Sequence, residues 1–228
     1  MKKSNYQRTL DQTLQQLDAQ GGPKPSLLLH ACCGPCSSYV IEYLSAYFDI
    51  TILYYNPNIS PESEYRRRLE ELQALLLRLP DAVKNNITMI EDHYDAAEFY
   101  QAIRIREEPE RAYEKEKGER CRRCYAFRME RAYKYAAENS FDYFTTTLSI
   151  SPFKDADKIN EIGNALAHSG KPYFLVSDFK KKGGFKRSLE LSREYGLYRQ
   201  DYCGCVYSKN NKEEERRRHA TQASQEET

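Results

Sequence analysis

LLLHACCGPCSSYVIEYL, residues 27–44, joins an apolar run to a stretch with helical spacing through Cys32, Cys33 and Cys36. SLLLHA shows no polar alternation, which is the pattern of a parallel strand covered on both faces. GPCSSYVIEYLSAYF then reads as a helix with Ser37 and Ser38 near its first turn. A strand that runs directly into a helix is the first half of a βαβ unit. The thiols fall at the strand's carboxyl end, the edge where an open parallel sheet binds ligands. There the helix N-terminus supplies backbone N–H groups and a positive dipole end, and both favour thiolate over thiol.

Working outward, the alternation repeats. ITILYYNPNI (50–59), NITMIEDHY (86–94), FDYFTTTLSI (141–150) and KPYFLVSDF (171–179) read as further strands. Between and after them, PESEYRRRLEELQALLLRL (61–79) carries Tyr65, Leu69, Leu72 and Leu76 on one stripe. DAAEFYQAIR (95–104), GERCRRCYAFRMERAYKYAAEN (118–139), the second part of SPFKDADKINEIGNALAHSG (151–170) and FKRSLELSREYGL (185–197) read as helices. Strands alternating with helices predict an α/β fold around a mostly parallel sheet. Residues 1–25 form a helical extension with Tyr6, Leu10, Leu14 and Leu17 in helical register, broken by GGPKP. Residues 26–208 form a single domain, and the charged tail 209–228 is expected to be disordered or a loose helix.

A net charge of +1 over 228 residues offers no global field for nucleic acid or membrane, so any basic patch is local. No window has the apolar length of a membrane span, and MKKSNYQRTLDQTLQQLDAQ lacks the apolar core of a signal peptide. The expected compartment is the cytosol, where thiols stay reduced and clustered cysteines read as metal ligands or redox centres. All seven cysteines are clustered: Cys32, Cys33 and Cys36, then Cys121 and Cys124, then Cys203 and Cys205. C-x-x-C places two sulfurs a helical turn apart, or across a tight turn, and Gly204 allows a bend that turns Cys203 and Cys205 to one side. Thiolates without histidine partners suit zinc or an iron–sulfur group. A closed four-cysteine zinc site leaves thiols over, which points to ligands plus reactive thiols, or two metal centres. His30, beside the first group, reads first as a strand-end polar residue bonding backbone.

LLLHACCGPCS, ILYYNPNI, ERCRRCYAFRM, FDYFTTTLSISPFKD and YRQDYCGCVYS, in this order, resemble the QueH-type epoxyqueuosine reductases across roughly residues 27–208. The resemblance implies a HUP-like, PP-loop-related fold with a metal site at the carboxyl ends of the strands. It implies reduction of epoxyqueuosine to queuosine at the tRNA wobble position, the last step of queuosine biosynthesis. It also implies a 4Fe–4S cluster and an additional iron ion. On the matching motifs, Cys32, Cys33, Cys121 and Cys124 take the cluster, although exchanging Cys36 for Cys32 is equally tidy. Cys203 and Cys205 are a redox-active pair or ligands of the second metal, and the role of Cys36 is open.

Removing an epoxide oxygen as water needs two electrons, which a cluster can deliver at low potential and protein side chains cannot. The electron donor is not legible. Asp92 and Asp178, near strand ends, are candidates to complete the second metal's shell, or else cap helices and turns. For the tRNA, KKKGGFKR (180–187) gathers Lys180, Lys181, Lys182, Lys186 and Arg187 around a glycine pair. Arg122 and Arg123 flank the C-x-x-C, although Glu107, Glu108, Glu110 and Glu114 interleave with that basic segment. Among 19 tyrosines and no tryptophan, Tyr54, Tyr55, Tyr125 and Tyr202 are candidate stacking platforms for a flipped base. Lys154 and Asp155 are polar candidates lining the pocket, or the start of a helix after Pro152. Two other readings remain. One is a PP-loop-like tRNA sulfur transferase, which needs an S-G-G-x-D-S type phosphate loop where this chain has ACCGPCS. The other is a non-enzymatic zinc-binding RNA module.

Overall fold

A computed structural model describes residues 5–168 and 170–226, with side chains as far as residue 218. Residues 1–4 of the N-terminal extension and 227–228 of the tail lie outside the described residues. The first element is α1, Tyr6–Gln20, capped by the Asn5 side chain accepting from Arg8 N at 3.1 Å. The core alternates β1 (Ser26–His30), α2 (Gly34–Leu44), β2 (Asp49–Tyr54), α3 (Glu62–Leu76), α4 (Pro80–Lys84), β3 (Thr88–Glu91) and α5 (Ala96–Ala102). It continues through α6 (Glu119–Glu138), β4 (Tyr143–Thr146), α7 (Ala156–Leu166), β5 (Tyr173–Phe174) and α8 (Gly184–Glu194) to α9 (Val206–Glu226).

The five strands form one all-parallel sheet in the order β3-β2-β1-β4-β5. β1 is central, and its side chains alternate between two apolar layers. Leu27 and Leu29 pack with α1, α2 and α3 through Leu10, Val40, Ile41, Leu69 and Leu72. Leu28 packs on the other face with Tyr125, Met129 and Ala132 of α6 and Ile159 of α7. This two-sided burial is why the strand lacks polar alternation. The order runs outward from β1 to β3 on one side and then restarts at β4 on the other. The crevice of an open sheet therefore opens at the carboxyl ends of β1 and β4.

One expected element differs. The nine-residue stretch 171–179 pairs only over Tyr173–Phe174, with Phe174 opposite Phe144. Beyond it the chain turns in to bond laterally, Asn160 Nδ2 donating to Ser177 O at 2.9 Å. Of the two expectations for the charged tail, the structure shows the helix, α9. Its charges pair along the helix, Lys212 with Glu215 at 2.7 Å and Arg218 with Glu214, and Arg216 pairs with Asp201. Among the described residues no helix is long and apolar enough to cross a membrane.

α8 packs closely against α2 at Gly184, where a Cβ would collide with the Phe179 carbonyl oxygen and the Tyr39 ring. Gly184→Ala is expected to destabilise the protein by about 1–3 kcal/mol, the cost of overpacking a filled contact. A urea midpoint unchanged from wild type would contradict this packing.

Candidate metal centre

β1 ends at His30, and the chain passes directly into α2 through Cys32 and Cys33. Cys33 is the N-cap of α2 in an extended conformation, and Pro35 sits in the first turn, where its missing N–H costs nothing. Cys36 falls one turn on, so Cys33 and Cys36 occupy the positive end of the helix. The ligand atoms of Cys32, Cys33 and Cys36 all lie within 4.8 Å of one another. Among the described residues they are the one group of three or more such side chains this close. Hydrogen bonds from Cys33 and then Cys36 hold Cys32 well below the usual thiol range, while Cys33 and Cys36 are raised by donating to it. The three thiols therefore titrate as one coupled group rather than independently.

Cys121 and Cys124 lie on the first turns of α6, one turn apart, both buried. Burial raises both thiols. Cys124 packs with Cys205, Phe99 and Ile103, and Cys203 and Tyr207 pack against that cluster. The Cys203 and Cys205 sulfurs are 3.6 Å apart. The hydrogen bond from Cys205 lowers Cys203 well below the usual thiol range, and Lys154 adds to the effect. Gly204 between them has φ +113°, a conformation open to glycine, and a Cβ there would lie 2.9 Å from the Arg68 guanidinium. Arg68 Nη1 donates to Cys203 O at 3.1 Å and Ser60 N to Gly204 O at 2.9 Å, which pins the C-G-C turn.

Two buried cations stand among these thiols, and neither has a carboxylate partner among the described residues. Arg128 donates to Cys124 O at 3.4 Å and to Asn56 Oδ1 at 3.3 Å; Asn56 in turn donates to Ala31 O at 2.8 Å. Burial opposes its charge, but Cys124, Cys32 and Cys203 hold it up, so one guanidinium senses a thiol from each cysteine group. Lys154 is 9% exposed, and its ammonium makes no hydrogen bond or ion pair among the described residues. Burial opposes its charge too, yet Cys203, Tyr125 and Glu116 push it well above the usual lysine value. Buried cations are tolerated only with compensating negative charge. Seven free thiols around two unpaired cations make a donor set that fits an anionic, thiolate-bound metal group.

The crevice between β1 and β4 holds a cavity of about 120 Å³ lined by Cys32, Pro35 and Cys36 on one side. Leu148, Ile150, Pro152, Phe153 and Lys154, from the segment after β4, form another wall, and Arg199, Tyr202, Cys203 and Lys212 close it. Residues 27–211 match the model of the family described as "Epoxyqueuosine reductase QueH". The chain belongs to the QueH family. Its relatives include the epoxyqueuosine reductase QueH of Streptococcus pyogenes serotype M1, 39% identical over 90% of this chain and 78% of that protein. That of Staphylococcus aureus is 37% identical over 90% and 84%, and that of Thermotoga maritima 32% identical over 80% and 90%.

In this QueH family member several sequence candidates stand apart from the thiols. Both oxygens of Asp92 are taken by Arg131, at 2.6 and 3.2 Å, and Asp178 by Lys180 at 2.6 Å. Neither carboxylate joins the cysteine triad. The 180–187 stretch is not an open phosphate cradle, because Lys182 pairs with Asp11 at 2.6 Å and Arg187 grips Glu42 bidentately. Lys181 and Lys186 are exposed. Arg123 is paired to Glu108 at 2.9 Å, whereas Arg122 is exposed and 3.7 Å from Glu119. Tyr54, Tyr55 and Tyr125 are at most 2% exposed, so no base can lie on them, while half-buried Tyr202 lines the cavity. Asp155 caps α7, accepting from Asp157 N at 3.1 Å.

His30 is fully buried and satisfied. Its Nε2 faces the Tyr55 carbonyl at 3.0 Å and so donates, leaving Nδ1 to accept from Thr146 Oγ1 at 2.9 Å. Burial, with Arg128 nearby, lowers it to about 4, so the ring is neutral. Arg128, Arg68 and Asn56 were not singled out from the sequence. A signal existed for two of them: Arg128 is seven residues after Cys121 and four after Cys124, and Arg68 sits three after Tyr65 and four before Leu72. Both lie on faces already recognised as inward.

Proposed function

We propose that this chain is an epoxyqueuosine reductase, converting epoxyqueuosine to queuosine at the wobble position of tRNA as the last step of queuosine biosynthesis. It belongs to a HUP-like, PP-loop-related fold and works in the cytosol, where its thiols stay reduced. One observation carries the reading: thiols from two cysteine groups, an unpaired buried ammonium and a half-buried aromatic ring face one cavity at the sheet's switch point.

Cys32, Cys33, Cys121 and Cys124 would hold a 4Fe–4S cluster, with Cys36 the alternative to Cys32, and Cys203 and Cys205 act as a dithiol pair or hold a further iron. When bound, such a group supplies the two electrons at low potential and a Lewis-acidic site. The protein's own part is positioning and charge. Lys154, which lines the cavity and whose ammonium stands 6.0 Å from the Tyr125 ring centroid, donates a hydrogen bond to the epoxide oxygen as the C–O bond weakens and stabilises the negative charge that gathers there. Arg128 offsets thiolate charge from beneath. Apolar walls at Leu148, Ile150 and Pro152 exclude water from that charge pair, which strengthens it. The oxygen leaves as water after two proton transfers.

The test is anaerobic loading with iron and sulfide, then incubation with epoxyqueuosine tRNA and dithionite. Nucleoside mass spectrometry is expected to show loss of one oxygen from the modified base. Turnover by colourless, metal-free protein would overturn the reading, as would ATP-dependent thiolation of the tRNA in place of reduction.

A further inference from the structure

We infer that Phe153 is the platform on which the target base stacks, with Arg199 receiving a flanking phosphate. The inference rests on the reductase reading and names how that substrate is held. The large apolar side chains left exposed among the described residues are Leu77, Val83, Tyr113, Phe153 and Tyr173. Of these, Phe153 alone lines the cavity. Its ring is 57% exposed although its neighbour Lys154 is 9% exposed, so the backbone turns one side chain outward and the next one in. The turn is fixed locally, Phe153 N donating to Ser151 Oγ at 3.2 Å and Lys154 N to Ser151 O at 3.1 Å.

The ring is not isolated. Lys212 Nζ, paired with Glu215 at 2.7 Å, stands 5.8 Å from its centroid, and across the same cavity the Arg199 guanidinium stands 5.9 Å from the Phe185 ring. The cavity therefore carries two aromatic–cation pairs. Arg199 makes one hydrogen bond, to Ser192 Oγ at 3.0 Å, and no ion pair among the described residues. A nucleotide turned out of a loop presents a π face and, on either side, a phosphate. Rings beside cations match that spacing of chemistry. A cavity of about 120 Å³ has room for the reacting epoxide-bearing end of such a nucleoside but not for the whole nucleotide, so the base itself must lie at the rim. Phe153 stands there, one residue from the ammonium that faces the thiols.

The chain contains no tryptophan, so Phe153→Trp places a single tryptophan at the rim, whose emission can be excited apart from that of the 19 tyrosines. Its emission is expected to be quenched by an anticodon stem–loop RNA carrying epoxyqueuosine, and not by the same stem–loop with an abasic wobble position. This readout works on protein without any metal. Phe153→Ala is expected to weaken stem–loop binding and raise KM by about 5- to 150-fold, with kcat at saturation changed far less. Phe153→Tyr is expected to bring KM back to within about threefold of wild type, because any flat ring serves. An exposed ring carries little of the core, so the melting temperature of Phe153→Ala should stay near wild type.

Equal quenching by intact and abasic loops, or an unchanged KM in Phe153→Ala, would overturn this placement. Such a result leaves reduction by the wild-type enzyme intact. Wild-type protein that binds the stem–loop but never reduces it would instead count against the reductase reading.

Discussion

Cys33→Ser is expected to abolish iron loading and to lower reductase turnover by on the order of 10³- to 10⁶-fold, the range for losing one member of a catalytic unit. Cys33 is the informative thiol because both ways of assigning the cluster include it. Its position also separates chemistry from folding. Cys33 is the N-cap of α2, and its side chain makes no capping hydrogen bond. Serine is among the best N-cap residues, so the helix should be kept or strengthened. A variant that is fully folded, colourless and inactive is the expected result, read by iron and sulfide content and visible absorbance. A Cys33→Ser protein that still loads iron and turns over would remove Cys33 from the metal set. Cys36→Ser run beside it is expected to retain iron; loss of iron there would favour Cys36 over Cys32 as ligand.

Lys154→Met should leave iron loading intact and lower kcat by about 10²–10³, the cost of removing one donor aimed at developing negative charge. Methionine preserves the stem's packing while deleting the ammonium. A structural role alone would show in stability. The ammonium makes no hydrogen bond or ion pair among the described residues, so the apo protein loses no such bond on substitution. Stem–loop affinity should change less than kcat, because the interaction strengthens as charge builds on the leaving oxygen rather than in the bound substrate. Wild-type kcat in the loaded variant would assign that role elsewhere in the cavity.

The helices and the central strands were legible because their periodicities are local. SLLLHA is apolar on both faces, and β1 does meet a layer of helices on each. β5 was overread because an apolar run says that a segment is buried, not that its backbone is paired; after a last backbone bond from Leu175 N to Phe144 O the chain bonds to Asn160 and Thr145 side chains. For the tail, which lacks apolar residues, the sequence left a loose helix and disorder both open; ion pairs at i,i+3 and i,i+4 spacing go with the helix.

By itself the sequence determined that thiols cluster in three places, that the first cluster follows a buried strand and caps a helix, and that helices alternate with strands. Neighbours along the chain settle those properties. Only the tertiary structure decided that Arg128 and Lys154 are buried among thiols, and that Lys180, Lys182 and Arg187 are already paired. It also decided that Tyr55 and Tyr125 are sealed while Phe153 stays open. Exposure and counter-charge depend on groups brought near by folding. Arg187, for instance, meets Glu42 from 145 positions away.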